Sequence, residues 1–243
     1  MIASSGDILK GMRFSWTLGV FIILFSVFGA SLAFAQVEPV PYTATSFGFR
    51  VGMFWQGQSE DTTTTNGVET SPLLQNVGFS FRLPLSSLVS FEPGFDFFYD
   101  EYAYIESLSR AVPTQMETGS VSGALARVLG MAIRLPFGFH LGLSPRTSLI
   151  LRPGITALLR LPVAGLDGTT LEETGTISSD LNGGGRFLYP EFELGVGTQV
   201  SEKAGFDFGL RVLFPLWHAW DPREIPFWDS LFVWGSVGFR LFL

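Results

Sequence analysis

The chain of 243 residues contains no cysteine, so no disulfide bond stabilises it. It has only two histidines, His140 and His218, which leaves little material for imidazole-based catalysis or for a histidine metal site. Beyond residue 35, no run reaches the roughly 18–20 apolar residues that a membrane-spanning helix requires. The mean hydropathy is nevertheless +0.34, with 25 phenylalanines and 28 glycines. High hydropathy without helical spans favours a closed β-barrel, because closure pairs every strand edge within the membrane.

The first 35 residues have the pattern of a secretory signal peptide. Lys10 and Arg13 precede an uncharged apolar run, and Ala33 and Ala35 are the small residues expected before a cleavage site. We therefore expect a signal peptide at 1–35, a short periplasmic segment at 36–44 and a barrel at 45–243. Met12 is an alternative start, and a retained transmembrane helix is the alternative interpretation of the apolar run.

Alternation of apolar and polar residues is the main structural signal in the rest of the chain. Near the C-terminus, for example, Phe206 and Phe208 fall on one face of a strand, and Asp207 falls on the other. Similar alternation predicts eight strands in total. They span residues 45–56, 76–86, 88–99, 128–143, 147–161, 186–200, 204–216 and 231–243. Because proline cannot donate to a strand ladder, we expect bulges or unpaired sites at Pro93 and Pro153.

The connections between these segments alternate between short and long. Short turns occur near 86–87, 144–146 and 201–203, whereas 57–75, 100–127, 162–185 and 217–230 are long. Short periplasmic turns and long external loops are typical of outer-membrane barrels. We therefore predict an all-β, eight-stranded antiparallel transmembrane β-barrel with four long extracellular loops.

Charged residues concentrate on the inward face of the predicted strands. The predicted lumen charges are Arg50, Arg82, Glu92, Asp96, Arg134, Arg152, Arg160, Glu191, Glu193, Asp207, Arg211 and Arg240. An eight-stranded barrel is only wide enough to be filled by side chains. Buried charges must be paired, so we interpret this set as a structural plug. A gated polar pore is the alternative interpretation.

Large aromatic residues lie at strand ends next to the long loops. Because indole and phenol rings favour the membrane–water boundary, they predict an outer aromatic girdle. The predicted girdle comprises Trp55, Tyr99, Tyr189, Trp217, Trp220, Trp228 and Trp234.

The long loops are rich in acidic residues, which argues against nucleic-acid binding. The fourteen acids are Glu60, Asp61, Glu69, Asp100, Glu101, Glu106, Glu117, Asp167, Glu172, Glu173, Asp180, Asp221, Glu224 and Asp229. They predict a solvated, repulsive surface, with attraction of divalent cations or basic host proteins as the alternative. No spacing in the chain predicts a cofactor or a defined metal site.

The last predicted strand resembles the assembly signal of outer-membrane barrels at Ser236, Gly238, Leu241 and Leu243. Family members usually end on phenylalanine, whereas this chain has Phe242 followed by leucine. The signal peptide, eight strands and terminal signal together resemble the small OmpW/OmpX/OmpA-type barrels. The resemblance implies an outer-membrane location, with outer-membrane lipid, periplasmic chaperones and the barrel-assembly machinery as partners.

The resemblance leaves several functions open. An OmpW-like barrel would provide a narrow path for small, apolar molecules, which fits the aromatic residues of the last loop. An OmpX-like barrel would instead present its acidic loops to host or extracellular-matrix proteins. A lipid-modifying enzyme is a minor third alternative, because His218 lies near Asp221 and Ser230 in the sequence. His140 is expected to be a hydrogen-bonded filler of the lumen.

Overall fold

The computed structural model describes residues 41, 43–58, 64–65, 68–115, 124–166, 168–221 and 225–243. The predicted signal peptide and most of the segment 36–44 lie outside the described residues, so both stay predictions. The same holds for five of the predicted loop acids, Glu60, Asp61, Glu117, Asp167 and Glu224. Within the described part of the chain, no helix is both long and apolar enough to cross a membrane.

Thirteen strands and one α-helix form the described structure. The strands are β1 (Ser46–Gln56), β2 (Thr64–Thr65), β3 (Val68–Thr70), β4 (Leu73–Pro84), β5 (Val89–Phe91), β6 (Gly94–Ile105), β7 (Arg110–Gln115), β8 (Leu125–Arg134), β9 (Phe137–Ser144), β10 (Thr147–Leu166), β11 (Leu188–Gln199), β12 (Ala204–Leu213) and β13 (Phe232–Phe242). The helix, α1 (Leu171–Asn182), lies between β10 and β11.

Ten of these strands form a closed ring of eight barrel strands, because two of the barrel strands are each interrupted and consist of two segments. β5 with β6 forms the third barrel strand, and β8 with β9 forms the fourth. All neighbours pair antiparallel, and the ring closes where β13 pairs with β1, from Ser46 opposite Phe242 to Gln56 opposite Phe232. The predicted eight-stranded transmembrane barrel is therefore confirmed. We call its two ends the short-turn end and the long-loop end.

The structure differs from the predicted bounds mainly at the long-loop end. β6 continues to Ile105 and β10 to Leu166, whereas the sequence pattern predicts ends at 99 and 161. β7 pairs with β6 and with β3, so the sheet extends past the ring. Neither extension alternates regularly: Tyr102, Ala103 and Ile105 are buried on both faces of β6, whereas residues 163–165 of β10 are exposed.

Prolines interrupt the barrel ladder at one level. Pro93 lies in the two-residue break between β5 and β6, and Pro136 lies in the break between β8 and β9. Pro153 stays within β10 and pairs with Phe192 on one side. On its other side it faces the break at Pro136. There the pairing of β10 with β9 ends at Leu151, and the pairing of β10 with β8 begins at Thr156. The prolines, which lack a backbone N–H donor, therefore lie together where neighbouring strands are already unpaired.

Side chains alternate between a lipid-facing surface and the lumen. Phe49, Val51, Val77, Leu194 and Leu210 are examples of apolar residues exposed on the outside. The inward residues fall into two layers. Charged residues fill the half near the short turns, and mainly aromatic and aliphatic residues fill the half near the long loops.

Helix α1 begins with a capping box. Thr170 accepts a hydrogen bond from the backbone N–H of Glu173, and the Glu173 carboxylate accepts one from the backbone N–H of Thr170. These hydrogen bonds hold the pKa of Glu173 below its ordinary value. Ile177 and Leu181 on the helix are buried against the apolar residues that fill the half of the lumen near the long loops, so α1 closes the long-loop end of the lumen.

Candidate functional site

Glu92 is the centre of the charged half of the lumen. Its Oε1 accepts from Nε of Arg82 at 2.6 Å and from the hydroxyl of Ser90 at 2.8 Å. Its Oε2 accepts from Nε of Arg152 at 2.8 Å. His140 Nε2 lies 3.2 Å from Glu92 and 2.7 Å from the Ser90 hydroxyl, which agrees with its expected role as a hydrogen-bonded filler.

The network continues to two glutamates on β11. Arg152 donates through Nη1 to Glu193 at 2.5 Å, and Arg134 reaches the same carboxylate at 2.5 Å. Arg134 also donates to Glu191 at 3.0 Å, and the hydroxyl of Thr156 donates there at 2.6 Å. Each glutamate is therefore paired with groups from other strands, as buried charges require, although Oε1 of Glu191 accepts no hydrogen bond.

Two aspartates complete the network. Asp96 accepts from Arg50 at 2.6 and 2.9 Å and from Arg211 at 3.0 Å. Asp207 accepts from Arg240 through Nε at 2.7 Å and through Nη2 at 2.5 Å.

We call the resulting connected set of six arginines and five carboxylates the ionic layer. It contains eleven of the twelve predicted lumen charges. Arg160 is the exception: it lies nearer the long loops, where its Nη2 donates to the carbonyl groups of Leu181 and Arg186. Its predicted place among the carboxylates is therefore wrong, because β10 extends past the charged half into the apolar half.

Glycines on the inward face make room for these long side chains. A Cβ atom on Gly78 would lie 2.1 Å from Oδ1 of Asp96, which is its register partner on the next strand. A Cβ atom on Gly197 would lie 2.8 Å from Oδ1 of Asp207, again its register partner. Two cavities in and below the layer have volumes of about 30 and 20 Å³. Such volumes accommodate single water molecules rather than a continuous path.

The apolar half of the lumen is built around Trp234. Its ring stacks on Phe54 at 4.2 Å, and its indole N–H donates to Oδ1 of Asn76 at 2.8 Å. The guanidinium group of Arg211 lies 4.0 Å from the Trp234 ring, so a cation–π contact joins the ionic layer to the apolar half. We call this half, with Phe98, Leu158 and the other buried apolar residues around it, the aromatic layer.

The predicted aromatic girdle is only partly present. Trp55, Tyr99, Trp220 and Trp228 are 38% to 66% exposed, as the prediction requires. Tyr189, Trp217 and Trp234 are at most 2% exposed and lie in the aromatic layer, so their assignment to the girdle is wrong. The reason is strand parity: Tyr189 shares the inward face with Glu191, and Trp234 shares it with Arg240.

Ion pairs tie the long-loop segments into a folded unit that we call the cap, formed by β7, α1 and residues 214–221 and 225–231. Arg110 on β7 pairs with Asp229, and Arg186 pairs with Asp221 at 2.5 Å. Asp180 on α1 accepts from the backbone N–H of Ala111 at 2.7 Å. Three of the acids predicted to form a solvated surface are therefore used inside the cap.

The structure also places His218 and the four residues of the predicted assembly signal. The imidazole of His218 stacks on Trp217 at 4.3 Å and lies 5.7 Å from the ring of Phe227, and burial lowers its pKa. Ser236 and Gly238 face the lumen, whereas Leu241 and Leu243 are exposed. The recognition of these four residues by assembly factors stays a prediction. No group of three or more potential metal ligands occurs among the described residues.

The closed antiparallel ring, the apolar outer face and the filled lumen define a small transmembrane β-barrel. No protein-family model and no curated protein matches the sequence. The outer membrane protein OprG from Pseudomonas aeruginosa is similar in structure, with 10% identity, a TM-score of 0.48 and coverage of 86% of this chain and 100% of that one. Neisserial surface protein A has 8% identity, a TM-score of 0.45 and coverage of 82% and 97%. Ail of Yersinia pestis, an attachment invasion locus protein, has 8% identity, a TM-score of 0.40 and coverage of 82% and 98%.

Proposed function

We propose that this protein is an outer-membrane barrel that acts by contact, through the surface of its cap. The observation that carries the proposal is that both halves of the lumen are filled, while the long-loop end is a folded unit held by ion pairs. In this interpretation the ionic layer and the aromatic layer are structural, and the barrel anchors the cap in the outer leaflet. Export by the signal peptide and insertion by the barrel-assembly machinery are parts of the same proposal.

The exposed chemistry of the long-loop end suggests the class of partner. Glu106, Glu172 and Glu173 are exposed acids, and Trp220 and Trp228 are exposed aromatic residues of the same end. Acidic groups beside exposed aromatic rings favour a protein surface that is both basic and partly apolar. Host or extracellular-matrix proteins with basic patches have this chemistry.

Binding of refolded barrel in lipid nanodiscs to immobilised matrix proteins tests this proposal. We expect Trp228→Ala and the double variant Glu106→Lys/Glu172→Lys to weaken binding, because both change exposed groups that take no part in the ion pairs of the cap or in the capping box of α1. Lys203→Ala, in the turn at the opposite end, is the matched control and should bind as the natural sequence does. Equal binding by the cap variants and the control, or no binding by any of them, would refute a contact function of the cap.

A gated path for small apolar molecules is a second candidate. The observation in its favour is that the half of the lumen next to the outside is apolar and that the helix α1, with Ile177 and Leu181 buried there, covers it. Movement of α1 would expose an aromatic-lined vestibule above the ionic layer. Single-channel recording and uptake of an apolar fluorophore into proteoliposomes separate the two candidates. A silent barrel, with Arg152→Ala also silent and no uptake, would exclude the path.

A further inference from the structure

A cavity of about 40 Å³ lies inside the cap, apart from the cavities of the ionic layer. Its walls come from the end of β1 and the residues after it, from β7, from β10 with the end of α1, and from the loop between β12 and β13. Its charged lining consists of Arg110, Arg160, Asp180, Arg186 and Asp229.

The cavity is lined by polar atoms without partners. Within the described part of the chain, four buried N–H donors on its lining residues make no hydrogen bond, against two such acceptor atoms, Oε1 of Gln56 and Oδ1 of Asp229, whose other carboxylate oxygen pairs with Arg110. The donors are Nε of Arg110, Nε of Arg160, Nε1 of Trp217 and Nε2 of Gln58. Since each unsatisfied buried polar group is costly, a cavity that gathers several of them indicates a bound species that accepts hydrogen bonds.

Other contacts hold these donors in place. Oε1 of Gln58 accepts from the hydroxyl of Thr70 at 2.8 Å, which leaves the amide nitrogen unused. Nη2 of Arg110 pairs with Asp229, and Nη2 of Arg160 donates to carbonyl groups at 2.6 and 3.3 Å. In each case one end of the group is engaged and the remaining N–H is free for a ligand.

We propose that this cap cavity is a binding site for one small anion of about the size of chloride. The four donors outnumber the two acceptor atoms, and Arg160 forms no ion pair with any described carboxylate. Both lining carboxylates are engaged, Asp229 with Arg110 and Asp180 with the N–H of Ala111. A buried water needs about 10–15 Å³ of such space, so the cavity has room for one halide ion or a few waters.

An anion in this cavity would link the four segments that form its walls. It would neutralise the charge of Arg160 and satisfy donors from β7, β10 and the loop between β12 and β13. The bound ion therefore adds a cross-link to the cap, whether the cap serves as a contact surface or as the lid of a path.

Crystallography of the protein with its natural sequence, with bromide in place of chloride, tests the site directly. We expect an anomalous peak within the cavity, within hydrogen-bond distance of Arg110 or Arg160. We also expect the melting temperature of the detergent-solubilised barrel to rise with chloride, relative to gluconate at equal ionic strength. Water density alone in the cavity, or equal melting temperatures in both salts, would overturn the proposal.

Two matched tryptophan variants test the donors. Trp217→Phe removes the indole N–H in the cavity, whereas Trp220→Phe removes one that donates to Gly184 at the surface. Loss of one hydrogen bond to an ion should raise the chloride concentration for half-maximal stabilisation by about tenfold for Trp217→Phe only. Gln58→Leu provides the same test if Trp217→Phe does not refold. An equal chloride response in both donor variants and the control would contradict the assignment.

Discussion

Replacement of Arg152 by methionine tests whether the ionic layer stabilises the barrel as a plug. Methionine keeps much of the length of the side chain but removes the guanidinium group. Nε and Nη1 of Arg152 donate to Glu92 and Glu193 at 2.8 and 2.5 Å, and Nη2 lies 3.6 Å from Asp207. The variant therefore takes one cation away from three buried carboxylates at once.

The expected loss of unfolding free energy depends on the arginine partners that those carboxylates retain. Removal of one partner from a buried ion pair costs about 3–5 kcal/mol, because the other charge stays buried without compensation. Here Glu92 retains Arg82 at 2.6 Å and Glu193 retains Arg134 at 2.5 Å, which favours the lower end of that range. A loss of about 3 kcal/mol corresponds to roughly a hundredfold change in the folding equilibrium.

Equilibrium unfolding in urea, in vesicles of a short-chain phospholipid, measures this loss. Arg127→Met is the matched control, since its guanidinium group is about half exposed and lies 3.3 Å from Glu101. An exposed pair of this kind contributes about 0–1 kcal/mol. If Arg152→Met cost no more than Arg127→Met, the ionic layer would not stabilise the barrel through charge pairing.

Three further predictions address packing, exposure and pH. Gly78→Ala should destabilise the barrel by about 1–3 kcal/mol in the same urea titration, because its methyl group meets a carboxylate and a backbone carbonyl. Gly235→Ala is the control and should be neutral, because the nearest atom to its methyl group is the carbonyl oxygen of Met53 at 3.9 Å. In single-tryptophan variants, brominated lipids should quench Trp55 but not Trp234, and equal quenching would contradict the buried position of Trp234. The pKa of Glu173 is lowered in the folded state, so its contribution to the cap is present above pH 4.5 and is lost as the pH falls through the folded pKa. Glu173→Gln should remove that part of the acid dependence of α1 in hydrogen exchange, and an unchanged acid profile would refute the capping role.

The alternation of side chains predicts the barrel because lipid and lumen impose opposite chemistry on successive residues. It places eight strands and the short turns, and it puts twelve charges on the inward face, of which eleven lie in the ionic layer. Strand ends are less predictable, because the extension of β6 is buried on both faces and that of β10 is mostly exposed, so their residues are no longer sorted between lipid and lumen. Arg160 keeps the inward parity of Arg152 and Thr156, but alternation gives only the face and not the depth along the strand, so it could not place this residue beyond the charged half.

The errors in the aromatic girdle have a different cause. The girdle prediction uses position along the strand and neglects the face, although parity places Trp234 with Arg240 on the inward side. Applied consistently, alternation predicts that Tyr189 and Trp234 lie in the lumen. The position of Trp217 could not be derived in this way, since it follows the end of β12 in a loop whose shape depends on the cap.

Helix α1 was detectable in part. Thr170 and Glu173 have the spacing of a capping box, which is a signal for a helix start within the predicted loop 162–185. The sequence contains no comparable signal for the ion pairs of the cap. Arg110 and Asp229, for example, are far apart in the chain, and only the closed ring brings their loops together.

The structure of the cap bears on the choice between a contact surface and a path. Opening of the apolar half requires α1 to leave the lumen, and this movement exposes Ile177 and Leu181, which are 0% and 2% exposed in the closed state. At about 1.5–3 kcal/mol for each such side chain, the movement costs on the order of 3–6 kcal/mol before the brace between Arg186 and Asp221 is considered. An unassisted open state would then be populated at about one part in a hundred to one in ten thousand. A path therefore requires a ligand that binds the open state preferentially, whereas a contact surface functions in the state that the structure shows.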